Sequence, residues 1–171
     1  MQINFYPEYD NADFEKAAKE YAKIWAEEGD KITKAIEKVS GLKFKEKVFN
    51  ALIYGKSSFS IPLMLSANVP TELIKGTISH ELCHRIIKTS NIKLTLRKNR
   101  YDYTIDIHRP VMLILYDIWV KLYGKQFAKK RIEFEINQWS EENTNPYKLV
   151  WDWALGMTKE QRQKEFKKYF K

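Results

Sequence analysis

The stretch TISHELCHRII, residues 77–87, contains the pattern H-E-x-x-H and lies within a segment that reads as a helix. Residues four apart on a helix share one face, with Cβ atoms about 5–6 Å apart. The imidazoles of His80 and His84 can therefore converge on one metal ion. The flanking residues are uncharged, as a buried helix requires, except that Arg85 directly follows the pattern. The other interpretation is a pair of structural histidines on a half-buried helix face.

Glu81 stands beside the first histidine of this pair. It is turned by about 100° from His80 around the helix, so its carboxylate lies next to the open position of a metal and not on it. A carboxylate in that place can take a proton from a water molecule and later give it to a leaving amine. The pattern therefore predicts hydrolytic metal chemistry with Glu81 as the catalytic base.

The N-terminal third carries the strand-like segments. Residues 2–6 alternate in polarity, and residues 47–54 and 58–66 are rich in β-branched and aromatic side chains, with a turn expected at residues 55–57. Pro62 cannot donate to a strand ladder, so the third segment is expected at an edge or in a bulge. Edge strands can also receive an extended peptide by strand addition.

Helical periodicity dominates the rest of the chain, with a polar, basic loop expected over residues 89–106. Helices are predicted over residues 13–39 and 70–88, from Pro110 to before Gly124, over 126–139, from Pro146 to Leu155 and after Thr158. Asn145 is expected to cap the helix that Pro146 opens, and Thr158 with Gln161 is expected to form a capping box for the last helix. The fold class predicted is α+β, mainly helical, with a small mixed sheet in the N-terminal third packed on the H-E-x-x-H helix. Residues 1–171 are expected to form a single domain, with the sheet and active-site helix in about 1–90 and a helical part in about 107–171.

Composition limits the class of protein. Thirty basic and 22 acidic residues give a formal charge of +8, which permits contact with nucleic acid through segments such as residues 97–100 but is equally typical of solvated helix faces. A single cysteine cannot form an internal disulfide, which favours a reducing compartment, and we expect the cytoplasm. The N-terminal residues lack the pattern of a secretory signal. The longest apolar run, residues 110–116 with 118–120 after Asp117, is too short to cross a bilayer, so no membrane contact is expected.

Through HELCH and its flanks, about a dozen residues, the sequence resembles the zincin metallopeptidases. The resemblance implies one zinc ion held by His80 and His84, a catalytic Glu81 and hydrolysis of peptide bonds in a peptide or protein substrate. It also implies an upstream edge strand that holds extended substrate, for which residues 58–66 are the candidate.

The subfamily stays open. Metzincins continue with a glycine and a third histidine, but Ile87 and Ser90 stand at those positions. Gluzincins use a downstream glutamate as third ligand, yet none occurs between Glu81 and Glu133. The SprT-like DNA-associated proteases are similar at HELCH, but their third histidine comes sooner and a zinc ribbon follows.

A catalytic zinc usually has three protein ligands and an open position, so a third ligand must come from elsewhere. His108 is the remaining histidine and lies just before Pro110, where a helix is predicted to begin. Asp106 is the alternative ligand, and a surface or capping role for His108 is the other interpretation.

Four further residues have open roles. Asp117, within an apolar segment, either accepts the distal N–H of a ligating histidine or pairs with an arginine, and the same question arises for Asp152 between two tryptophans. Stabilisation of an oxyanion needs a donor, for which we favour Tyr103 over the other tyrosines and arginine near His108. Cys83 is expected to be a buried small side chain.

The function predicted is a zinc-dependent peptidase with the catalytic residues Glu81 and Tyr103 and the metal ligands His80, His84 and His108. Two alternatives stay open. One is a catalytically inactive zincin-like module that binds metal and serves regulation or interaction. The other is a nucleic-acid-associated protease resembling the SprT-like group.

Overall fold

The structure, a computed structural model, describes residues 1–90, 92–139 and 144–170. It confirms a mainly helical α+β fold with a small sheet near the N-terminus. A short 3₁₀ turn, Thr71–Leu73, precedes the helix that carries the H-E-x-x-H pattern. The elements in chain order are β1 (Gln2–Pro7), α1 (Ala12–Ser40), β2 (Val48–Tyr54), β3 (Leu63–Ser66), α2 (Ile74–Lys88), α3 (Arg100–Asn137), α4 (Pro146–Leu155) and α5 (Lys159–Lys167).

The three strands form one sheet in the order β1-β2-β3, and both pairings are parallel. The prediction of a mixed sheet was therefore wrong. The chain does not turn directly from β2 into β3 but runs back beside β2, so that Leu63 pairs with Ala51 near the middle of that strand. β3 is also shorter than predicted, since it begins only after Pro62, which cannot donate to a ladder.

α1 is one continuous helix that packs on the sheet. Asn11 caps its start by accepting from the backbone N–H groups of Asp13 and Phe14. Gly41, with φ of 73°, ends it in the left-handed conformation that glycine adopts without strain. Tyr21, Ile32 and Ile36 line the buried face.

α3 starts ten residues earlier than predicted, because Asn99 caps it at Arg100 and the expected loop over residues 89–106 is partly helix. Pro110 therefore lies inside the helix instead of opening it. The predicted break at Gly124 is confirmed: this residue has φ of 84° and ψ of 169° and separates two helical segments. That conformation is essentially restricted to glycine.

α2 lies at the centre of the molecule, where it packs against α1, α3 and β3. The buried hydrophobic residues form a single cluster, and Trp119 of α3 stacks on Trp151 of α4 within it, with ring centroids 5.6 Å apart. The predicted caps of α4 by Asn145 and of α5 by the Thr158 capping box are both present. In the described part of the chain, none of the helices combines the length and apolarity that crossing a membrane requires.

Candidate metal centre

α2 positions the three residues of the H-E-x-x-H pattern. The helix is buried over most of its surface, and His80 and Glu81 are only 4% and 7% exposed. His84 follows one turn after His80, and the Nε2 atoms of the two rings are 3.1 Å apart. The four-residue spacing therefore brings the imidazoles together as the sequence predicted.

His108 joins this pair from α3 and is 5% exposed. One ring nitrogen from each of the three histidines can be chosen so that all lie within 4.8 Å of one another. The His108 ring lies across both others, with centroid distances of 5.3 Å to His80 and 4.6 Å to His84. The three histidines thus form a group that could hold a metal ion.

In two of the three rings, a hydrogen bond determines which nitrogen is free to bind a metal. His80 Nδ1 lies 2.6 Å from a carboxylate oxygen of Glu135, and His108 Nδ1 lies 2.7 Å from the carbonyl oxygen of Thr104. Both partners can only accept, so Nδ1 donates in each case and the Nε2 lone pair of a neutral ring is left for a metal. The Nε2 atoms of His80 and His84 lie 3.1 Å apart, at hydrogen-bond distance, so a proton or a metal ion can lie between the two rings. The donor set therefore fits a metal that prefers imidazole.

Two of the three rings favour the neutral state. Burial lowers the pKa of His84 well below its usual range, and the charges of His108 and His80 act in the same direction. Burial, together with the charge of His80, lowers the pKa of His108 to about 3 against the opposing effects of Thr104 and Glu135. For His80, burial also opposes the charged form, but Glu135 outweighs it and raises the pKa.

Glu135, which the sequence did not single out, is the carboxylate behind His80. It is 3% exposed, accepts from the indole N–H of Trp151 at 2.9 Å and forms an ion pair with Arg131 at 3.3 Å. Burial opposes its ionisation, but the charges of His80 and Arg131 and the hydrogen bonds lower its pKa to about 2. Glu135 therefore stays ionised and holds the His80 ring in one tautomer and one orientation.

Arg131 is buried one turn before Glu135 on the same helix. Gly76 of α2 makes room for it, since a Cβ at that position would lie 2.6 Å from Arg131 Cδ. Arg131 and Glu135 are four residues apart among the apolar side chains of α3, and two opposite charges on the buried face of a helix were the signal that could have revealed them.

Glu81 lies beside the histidines and is not one of the ligand group. Burial raises the pKa of its carboxyl to about 7; the charges of His80 and Arg131 oppose that rise, and the charge of Glu135 adds to it. A carboxyl group with such a pKa can both accept and return a proton near neutral pH.

The aromatic neighbour of the group is Tyr147, at the start of α4. Its ring centroid lies 4.6 Å from that of His108. Burial raises the pKa of Tyr147, and the carboxylates of Glu135 and Glu81 add to the rise, so the phenol keeps its proton. Tyr103, the donor favoured from the sequence, is 44% exposed, and among the described residues the ring contacts of the three histidines include Tyr147 but not Tyr103.

The acidic residues that the sequence left open have partners away from the histidines. Asp106 accepts three hydrogen bonds from Arg97, one of them from its backbone. Asp117 pairs with Arg162, which confirms the second of its two interpretations. Asp152 pairs with Lys148 at the surface, and Cys83 is fully buried as expected.

The expected substrate strand differs from its prediction. Only Leu63–Ser66 forms β3, which is an edge strand of the sheet as predicted. The residues before it fold back over its outer side, where Phe59 and Met64 exchange two backbone hydrogen bonds of 2.8 and 2.9 Å. The outer edge of β3 is therefore already paired at Met64.

Comparison with known proteins found no match to a family model, to a curated protein or to a solved structure.

Proposed function

We propose that this protein is a zinc-dependent peptidase of the zincin type. The observation that carries the proposal is the convergence of His80, His84 and His108, with Glu81 next to the first of them on the same helix. Three imidazoles are the donor set of a catalytic zinc site that keeps one position open for water or substrate, and a glutamate beside that position can move a proton.

Zinc is the metal we propose because the donors are three imidazoles with no carboxylate or thiolate in the group. When bound, zinc would act as a Lewis acid on a peptide carbonyl and make water a stronger nucleophile at neutral pH. His80, His84 and His108 would hold it through ring nitrogens, with Glu135 and Thr104 fixing the orientation of the first and third ring.

The chain itself supplies the proton transfer. The Glu81 carboxylate would accept a proton from the attacking water and return it to the leaving amine. Its position beside His80 on α2 and its burial support this role. Tyr147, which keeps its phenolic proton beside His108, is the candidate donor to the developing oxyanion.

The test compares the purified wild-type protein with Glu81→Gln and His80→Ala. Metal analysis should find about one zinc ion per chain in the wild type and in Glu81→Gln, and much less in His80→Ala. Cleavage of a broad peptide library should be measurable only for the wild type. The proposal would be refuted if the wild-type protein bound no zinc on titration, or if Glu81→Gln cleaved peptides as well as the wild type.

A second candidate is a metal-binding module without catalysis, and the burial of the centre favours it. His80, Glu81 and His108 are each less than a tenth exposed, which leaves little surface for a substrate in this conformation. This alternative predicts normal zinc content and no cleavage of any library peptide. Equal zinc affinity in Glu81→Gln and wild type, with neither cleaving peptides, would favour it.

We also propose that the protein works in the reducing cytoplasm. The support is its single cysteine, Cys83, which is buried and free. Cell fractionation that recovers the protein from an oxidising compartment would contradict this location.

A further inference from the structure

Residues 58–62, which we call the strap, run back along the outer edge of β3. Phe59 and Met64 exchange two backbone hydrogen bonds across this edge, and the Ser58 hydroxyl accepts from the backbone N–H of Ser66 at 3.0 Å. An extended peptide that adds to a sheet edge uses the same outward N–H and C=O groups. The strap therefore occupies the hydrogen-bonding positions at which a peptide strand would pair.

Arg85 fastens the strap to α2. Its Nη1 donates to the carbonyl oxygen of Ser60 at 2.9 Å, while its Nε and Nη2 donate to Glu46 at 2.9 and 3.1 Å. The guanidinium also lies over the ring of Phe49, 4.2 Å from its centroid. Arg85 is the charged residue that directly follows the H-E-x-x-H pattern, so the helix that carries the histidines also carries the attachment of the strap.

Few contacts hold the strap apart from these polar ones. The side chains of Phe59 and Ile61 are 56% and 40% exposed, and Pro62 is exposed as well. Segments with little buried apolar surface open at much lower free energy than the core of a protein. The strap can therefore separate from β3 while the sheet and α2 stay folded.

We propose that the strap is an internal occupant of a peptide-binding edge: it covers β3 until an extended peptide displaces it, and Arg85 is the latch that sets how readily it opens. This inference rests on the proposed peptidase function for the identity of the ligand. It accounts for an edge strand beside the histidine helix that is already paired, and for Arg85 as the charged exception among the residues that flank the H-E-x-x-H pattern.

A reversible cross-link tests the proposal. Phe59 and Met64 are direct antiparallel partners, and hydrogen-bonded partners of this kind have Cα atoms about 5.5 Å apart, which a disulfide can bridge. The double variant Phe59→Cys/Met64→Cys is made in the zinc-loaded Glu81→Gln protein, so that peptide binding is measured without cleavage. Native Cys83 is fully buried and does not compete for the cross-link.

Fluorescence anisotropy of a labelled extended peptide, chosen from a library, gives the affinity of each form. We expect the oxidised double variant to bind at least about tenfold more weakly than the same protein reduced with a phosphine, because a locked strap blocks the edge. The single variant Phe59→Cys, treated in the same two ways, should show no difference. Equal affinity of the oxidised and reduced double variant, or no peptide bound by the reduced form, would overturn the proposal.

The latch is tested separately with Arg85→Gln and, as a matched control, Arg97→Gln, which breaks a surface ion pair with Asp106. Arg85→Gln should bind the peptide several-fold more tightly and speed hydrogen exchange at the Phe59 and Met64 amides, and Arg97→Gln should do neither. If hydrogen exchange at these two amides is unchanged in Arg85→Gln, Arg85 does not hold the strap in place. If the strap controls peptide binding but the protein with Glu81 restored cleaves no peptide, the proposed peptidase activity is refuted. The proposal that the strap covers the edge of β3 would then still hold.

Discussion

His108 and Asp106 are two residues apart in α3, and the helix turns them by about 200° relative to each other. His108 joins the other histidines, whereas Asp106 is bound by Arg97. We therefore expect His108→Ala to lower zinc affinity by more than about 100-fold and Asp106→Ala to leave it unchanged. Competition with a chromophoric chelator measures both affinities, and loss of zinc from Asp106→Ala would show that the carboxylate is the ligand.

Glu135 acts on the metal through His80, and its removal should be visible in zinc affinity. Glu135→Gln takes away the charge that raises the basicity of the ring, and the usual effect of such a change is about 10–100-fold in metal affinity. The matched control is Glu133→Gln, since Glu133 is exposed and its ion pair with Lys129 spans 3.9 Å. Circular dichroism checks that both variants are folded, and equal zinc affinity in the two would refute the orienting role of Glu135.

Tyr147 and Tyr103 offer a direct comparison of candidate oxyanion donors. Tyr147→Phe removes the phenolic O–H beside His108, and we expect it to lower kcat by about 10²–10³ with little change in KM. Tyr103→Phe, at a site 44% exposed, should leave kcat unchanged. Steady-state kinetics on one library peptide decide between the two tyrosines. A lower kcat in Tyr103→Phe with an unchanged kcat in Tyr147→Phe would show that Tyr103, the donor favoured from the sequence, is the correct one.

Gly124 lets α3 change direction, so that residues 100–123 carry His108 while residues 125–137 return Arg131 and Glu135 to α2. Its φ of 84° and ψ of 169° suit only glycine, and nothing lies within 4 Å of a Cβ placed there. Gly124→Ala should therefore lower the free energy of unfolding by about 1–3 kcal/mol through backbone strain alone.

Gly41→Ala is the control for this change. Gly41 also has positive φ and open space for a Cβ, but its φ of 73° and ψ of 5° lie near the left-handed region, which costs other residues only about 1–2 kcal/mol. It ends α1 and touches none of the histidines. Urea denaturation should show the larger loss for Gly124→Ala, and only that variant should also bind zinc more weakly.

Local signals in the sequence located most of the helices, but they did not predict which other elements each helix packs against. The spacing of His80 and His84, the glycine at 124 and the cap at Asn145 each act within a few residues, so the pattern alone predicts them. Pro110 was misinterpreted because proline is equally acceptable in the first turn of a helix, while the cap that starts α3 is Asn99.

The strand order of the sheet and the hydrogen bond that orients His80 depend on contacts between residues far apart in the sequence. No local sequence pattern predicts such contacts. β3 runs parallel to β2 because residues 55–62 fold back over the edge, a path set by the Phe59–Met64 pairing and by Arg85. Glu135 reaches a histidine 55 positions earlier in the chain. His108 could be predicted as the third ligand only because the chain has three histidines, two of which belong to the H-E-x-x-H pattern.

The three histidines join α2 to α3, and through Glu135 and Trp151 the same network reaches α4. A bound metal therefore links elements that would separate on unfolding, and ligands that bind only the native state stabilise it by mass action. Free zinc at about 100 times its Kd adds about 2.7 kcal/mol. For a chain of this length, that corresponds to a rise in Tm of about 5–10 °C.

Scanning calorimetry of the wild type with and without chelator measures this shift. In His84→Ala, which lacks one of the three imidazoles, zinc should leave Tm almost unchanged. Without metal, the rings of His84 and His108 stay packed against His80 and each other, and the Nε2 atoms of His80 and His84 lie at a hydrogen-bond distance of 3.1 Å. His84→Ala loses this hydrogen bond and the packing of the ring, so it should unfold at a lower Tm than the metal-free wild type. A wild-type Tm that does not respond to chelator would mean that the histidine cluster contributes to folding without a metal, and the zinc site would then have to be abandoned.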